Sequence, residues 1–135
     1  MKIVKNLSLI LLVAVALIGC SKDDNGGDSA SLVGTWKLTN ATWNGQPDLD
    51  DCDLKTTVVI SETTIKTTEY YGIDCMDSET YEVNYTRNGN TLTITAFGMT
   101  STSEITTLTA STLVVTETEE YEGETDVYVT TFARQ

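Results

Sequence analysis

From Asn90 to Phe97 the chain reads Asn, Thr, Leu, Thr, Ile, Thr, Ala, Phe, an alternation with a period of two. Leu92, Ile94 and Ala96 share one face, and Thr91, Thr93 and Thr95 the other, as a strand half-buried against a core requires. Read with turn residues as punctuation, the same rule predicts eight strands, over residues 33–43, 55–61, 64–71, 79–87, 90–97, 100–108, 112–119 and 125–133. Threonine, valine, isoleucine and tyrosine dominate these segments and proline occurs once, a composition suited to strands. Asn88-Gly89 is the strongest hairpin signal, because both residues tolerate the positive φ of a type I′ turn. Gly98 and Gly123 mark two further turns, whereas Ser61 to Thr64 and Thr109 to Thr112 connect without glycine. No helix is predicted.

Consecutive short strands joined by tight turns describe an all-β meander, and closing a meander into a barrel removes its unpaired edges. The expected fold is therefore an eight-stranded antiparallel up-and-down barrel. A two-sheet β-sandwich is the alternative, but Greek-key connections need at least one long crossing.

The front of the chain has a different character. Lys2 and Lys5 precede an apolar block from Leu7 to Ile18, the charged and hydrophobic regions of an export signal. The block is shorter than the roughly 20 apolar residues of a membrane-spanning helix, so residues 1–19 read as a cleaved leader. Leu17, Ile18, Gly19 and Cys20 resemble a bacterial lipobox, which implies diacylglycerol on Cys20, cleavage before it and acylation of the new N-terminus. Two or more acyl chains give stable anchoring. The following Ser21-Lys22-Asp23-Asp24 resembles the export signal of surface lipoproteins in the Bacteroidota. Residues 20–31 then form a small, polar, flexible linker, within which Asp28-Ser29-Ala30 resembles a short bacterial O-glycosylation motif. The expected location is the outer membrane, lipid-anchored and facing the cell exterior.

Of 135 residues, removal of the leader leaves about 104 beyond the linker for one domain, residues 32–135, a size that buries roughly 60–70% of the unfolded chain's surface. The formal charge of −12 becomes more negative when Lys2 and Lys5 leave with the leader. Nucleic acid is disfavoured as a partner, since its binders carry basic patches. With Cys20 acylated, Cys52 and Cys75 remain as an even pair in an exported chain, for which a disulfide is expected. Free or metal-binding thiols are the alternative, against which stands the lack of histidine and of a third domain cysteine. No cofactor and no metal is assigned, because Asp48 to Asp53 lacks the spacing and glycine of a calcium-binding loop.

The run Leu32-Val33-Gly34-Thr35-Trp36 resembles the opening strand of lipocalin-like proteins, with its Gly-x-Trp signature. Together with the lipobox, the paired cysteines and "STLVV", the likeness is to small lipocalin-like lipoproteins of the Bacteroidota. The resemblance implies that Gly34 and Trp36 lie at the closed end of the barrel. It further implies that an arginine of the last strand, here Arg134 in "TFARQ", covers the tryptophan. No C-terminal helix follows, and the short strands favour a shallow cavity or a filled core.

In an up-and-down barrel alternate connections share one end. Residues 44–54, 72–78, 98–99 and 120–124 then form one mouth, which brings Cys52 and Cys75 together. Asp48, Asp50, Asp51, Asp53, Asp74, Asp77, Glu119, Glu120, Glu122 and Glu124 gather there, lowering the potential against anions and favouring cations or neutral polar ligands. Fatty-acid carboxylates are expected to bind poorly. The bland reading of these carboxylates is solubility. Candidate lining residues are Tyr70 or Tyr71, Tyr81, Val83, Tyr85, Leu92, Ile94, Phe97, Leu113 and Val115, with Trp43 and Met99 near the rim.

Two functions compete. One is a surface binding module for a small neutral or cationic molecule or a glycan fragment. The other is an interaction lipoprotein with a filled barrel and no small ligand. An enzyme is not expected: histidine is absent, the domain cysteines are paired, and neither a Gly-x-Ser-x-Gly elbow nor a phosphate loop occurs.

Overall fold

The computed structural model describes residues 30–135; the expected leader, the expected lipidation at Cys20 and the expected linker through Ser29 lie outside the described residues. The elements in order are β1 (Gly34–Trp43), β2 (Gln46–Pro47), a 3-10 turn (Asp53–Lys55), β3 (Thr57–Ile60), β4 (Thr64–Tyr71), a second 3-10 turn (Ile73–Cys75), β5 (Asp77–Asn88), β6 (Thr91–Ala96), β7 (Met99–Leu108), β8 (Thr112–Tyr121) and β9 (Glu124–Arg134). Each of the eight predicted strands is present. The two-residue β2 and the two 3-10 turns were not foreseen.

Each strand pairs antiparallel with its neighbour in sequence, apart from the short β2, which flanks β1, and β1 also pairs with β9. That last pairing runs from Trp36 opposite Arg134 to Trp43 opposite Tyr128. It converts a meander into a closed eight-stranded barrel, and the sandwich alternative falls away. Two register shifts, between Leu38 and Asn40 in β1 and between Ile105 and Thr107 in β7, reset which side chains face inward. Such bulges sharpen local twist and help a sheet curl.

The two ends are built with different turn chemistry. At one end Asn44-Gly45, Phe97-Gly98 and Glu122-Gly123 each have two successive positive φ angles, the signature of type I′ hairpins. At the other end Asn88 is the last residue of β5, and the turn residues are Gly89 and Asn90. Only Gly89 of that pair has positive φ, so the expected type I′ turn at Asn88-Gly89 is replaced by the type II′ pattern. The two turns without glycine use hydroxyl groups. Ser61 Oγ accepts from the backbone N–H of Thr63 and Thr64, and Thr109 Oγ1 accepts from those of Ser111 and Thr112. A side-chain oxygen thus fixes a turn that no glycine marks.

The core lies toward this second end, the floor of the barrel. Trp36 is fully buried among Leu32, Val58, Ile60, Leu92, Ile105 and Leu113. Its indole Nε1 donates to Leu32 O at 2.9 Å, which folds the entering segment across the opening. Arg134 caps the assembly. Its guanidinium carbon lies 4.1 Å from the Trp36 ring centroid, and its nitrogens donate to the carbonyls of Ala110, Val33 and Ser31. A Cβ on Gly34 would overlap Arg134 Nη1, so the glycine of Gly-x-Trp is the gap through which the arginine reaches the ring.

Two predictions concern this framework. Gly34→Ala and Arg134→Ala are each expected to destabilise the domain by about 1–3 kcal/mol through loss of the stacked, hydrogen-bonded cation. Because both remove one arrangement, the double variant should fall short of the sum in urea denaturation. Additive losses would separate the two residues. Replacing Cys52 and Cys75 by serine should cost about 3 kcal/mol, the closure entropy of a loop of this length, and reductant should then have no further effect on the midpoint.

Candidate functional site

Residues 44–56, 72–76, 97–98 and 122–123 connect strands at the mouth, and the N-terminal segment enters at the floor. Cys52 and Cys75 form a disulfide with Cα atoms 5.2 Å apart, tying the first two loops together. Several rim carboxylates are engaged in shaping those loops. Asp50 Oδ1 accepts from the backbone N–H of Cys52 at 2.7 Å and of Asp53 at 2.8 Å, and Asp53 Oδ2 accepts from Asp50 N–H. Lys55, a cation within the acidic rim, donates through Nζ to Asp74 O. Among the described residues no group of side chains is arranged to hold a metal ion.

Beneath the mouth lies a cavity of about 360 Å³, within the range of small-molecule sites. Trp36, Val58, Ile60, Leu113 and Phe132 make its lower part, and Ile65, Leu92, Ile94 and Val115 continue the apolar wall. Thr67, Glu69, Tyr81, Ser103, Glu117 and Thr130 add polar groups. Lipid-like contact below and hydrogen-bonding groups above would orient an elongated guest.

The predicted lining residues divide. Tyr81 and Ile94 line the cavity, as do Leu92, Leu113 and Val115. Tyr85 is buried in the core cluster, donating its hydroxyl to Ser61 O at 2.7 Å, and Val83 is half-buried beside Ile65 in the sheet; neither is on the cavity wall. Phe97 is 95% exposed. Its strand ends at Ala96, and Phe97 occupies the first position of the turn with φ 54°. The alternation that turns Leu92, Ile94 and Ala96 inward gives Phe97 the outward parity of Thr91, Thr93 and Thr95, so the expected lining role already conflicts with the pattern of the strand. Met99 and Tyr71 are also largely exposed at the mouth, above the cavity. Trp43 stands on the rim, its Nε1 donating to Asp126 Oδ1 at 3.0 Å.

Among the cavity residues that the sequence reading missed are the two carboxylates, Glu69 and Glu117. The signal was available: Ile65, Thr67 and Glu69 continue one face of β4, and Leu113, Val115 and Glu117 one face of β8. The parity that places valine and leucine inside carries the carboxylates in with them. In the closed strand order β4 and β8 are four strands apart in either direction, so these groups face each other from opposite walls. Tyr81 donates its hydroxyl to Glu69 Oε1 at 2.6 Å. Burial, then the hydrogen bond and charge of Glu69, push the Tyr81 phenol up to about 12. Burial and the neighbouring Glu119 carboxylate hold the Glu117 carboxyl above its ordinary value, with no opposing influence. Cross-strand register then places Tyr128 beside Glu117 and Trp43 beside Tyr128. Burial and the surrounding charges of Asp126, Glu119, Asp48 and Glu117 push the Tyr128 phenol upward.

The sign of the Glu117 effect sets a test. A carboxyl that titrates higher in the folded state contributes its stability below the unfolded pKa and loses it as pH rises through the folded value. Glu117→Gln should therefore raise the melting temperature at pH 7, and the gain should shrink as pH falls into the ordinary carboxylate range near 4. A gain that grows on acidification would reverse the assignment.

Comparison with known proteins agrees with the geometry. Solved structures with the same fold include a lipocalin-like protein of Bacteroides uniformis, 19% identical, with 77% of this chain and 98% of that one covered at a TM-score of 0.55. A protein of Bacteroides eggerthii is 15% identical, with 78% and 100% covered at 0.54. Bovine odorant-binding protein in complex with undecanal is 14% identical, with 84% and 77% covered at 0.51. No curated protein matches. A family model of the lipocalin-like domain matches residues 32–115, from the segment folded over the floor to the middle of β8, and this chain belongs to that family.

Proposed function

We propose that this protein is a surface-anchored binding module whose barrel takes up a small neutral or cationic molecule through an acidic mouth. The observation that carries the reading is the cavity of about 360 Å³, apolar at its base and polar higher up, in a fold that typically holds small hydrophobic ligands. Glycan fragments fit the polar rim but not the apolar floor, which favours a guest with a hydrocarbon part. Anchoring rests on the lipobox-like run ending at Cys20 and the polar linker behind it. The chain enters at the floor, so a lipid at Cys20 would leave the mouth directed away from the membrane.

A second reading, contact with a protein partner, draws on the rim. Ile73, Met76, Phe97, Met99 and Tyr121 are each more than two-thirds exposed there, more apolar surface than solubility calls for. They stand among carboxylates, so the matching surface is apolar and basic.

A solvatochromic dye titration tests the binding reading. Dye emission should shift to the blue with the wild-type domain, and Val115→Trp, which fills the cavity, should abolish the shift while the fold persists by circular dichroism. An unchanged shift in Val115→Trp would place the dye on the outer surface and remove the support. For the anchor, Cys20→Ser should abolish incorporation of labelled palmitate in the native host.

A further inference from the structure

The interior carboxylates narrow the ligand class. Resting on the reading of the cavity as a binding site, we propose that its ligand is a protonated amine on an apolar body, with the ammonium held at the level of Glu69 and Glu117 and the hydrocarbon packed toward Trp36.

Three observations converge on this chemistry. First, the cavity wall carries two carboxylates and no lysine or arginine. They come from opposite sides of the barrel, so a guest moving along the axis passes between them. Glu69 already accepts one neutral donor, the Tyr81 hydroxyl, which secures its orientation and leaves its charge uncompensated.

Second, Glu117 stands half-buried in the cavity wall, with the like-charged Glu119 two residues along the same strand face. An apolar guest that filled the lumen would strip further water from this carboxylate and give nothing back, which is costly for a charged group, and a neutral hydroxyl would return one hydrogen bond without compensating the charge. An anion would add repulsion. A cation repays the desolvation most fully, because it adds charge neutralisation to the charge-assisted hydrogen bond.

Third, aromatic rings accompany the carboxylates. Tyr81 lines the cavity, and cross-strand register aligns Trp43 and Tyr128 in one row with Glu117. The Asp126 carboxylate holds the Trp43 indole in place. Rings and carboxylates together suit an ammonium group, which is drawn both to charge and to an aromatic face. The floor disfavours a second charge: below the carboxylates the wall offers apolar side chains and neutral hydroxyls such as Thr67 and Thr130 but no further carboxylate, so a diamine would bury its far charge without a counter-ion. The class is thus a monoamine with a hydrocarbon tail or ring.

Titration calorimetry with n-octylamine, n-octanol and n-octanoate decides the matter, because the three share a tail and differ in charge. Octylamine should bind about tenfold or more tightly than octanol, the ratio that one charge-assisted contact supplies, and octanoate should bind least. In the Glu69→Gln/Glu117→Gln double variant the amine-to-alcohol ratio should fall to about one, whereas Glu104→Gln, on the outer wall, should leave it intact. A wild-type ratio near one, or a ratio that survives the double variant, overturns the amine assignment. If octanol binds in that case, the cavity reading stands without it; if none of the three binds, both fall.

Discussion

Pairing of the first long strand with the last is the constraint on which everything else rests. A meander of eight strands left open would present the backbone of β1 and β9 as two sticky edges, and its inner face would have nothing to pack against. The run of pairs from Trp36 with Arg134 to Trp43 with Tyr128 removes both problems together. It also creates the lumen, and it turns a linear order of strands into a circular one in which β4 and β8 become opposite walls. No feature of the candidate site exists before that closure.

Closure also explains why the two ends differ. At the floor the entering segment, Trp36 and Arg134 form a plug in which indole, guanidinium and three carbonyls satisfy one another. Most of the fully buried apolar residues gather around it. Toward the mouth the strands continue, but nothing crosses between them, and the space stays empty. Stability is concentrated at one pole and the capacity to accept a guest at the other. The disulfide then braces the longest loops of the mouth, where the core provides little support.

Much of this was legible in the chain. Period-two alternation exposed the strands, and glycine exposed the Phe97-Gly98 and Glu122-Gly123 turns. The alternation of loop ends in a meander barrel is enough to place Cys52 and Cys75 at one rim. The carboxylates inside the barrel were legible in principle, yet charge usually signals solvent, and apolar residues alone were carried inward from β4 and β8. Phe97 shows the converse error: its apolar character suggested the lumen, although its shared parity with Thr91, Thr93 and Thr95 and its place in the Phe97-Gly98 turn both keep it outside.

Local sequence therefore determined the elements and their faces, since alternation and turn propensity act over a few residues. Only the tertiary structure decided what those faces enclose. Register shifts in β1 and β7 change which residues point inward without leaving a mark in composition. Whether a barrel of this size is filled or hollow depends on how side chains from all eight strands meet at its axis. That is a sum over distant residues, and here it leaves a cavity with an apolar base and two facing carboxylates.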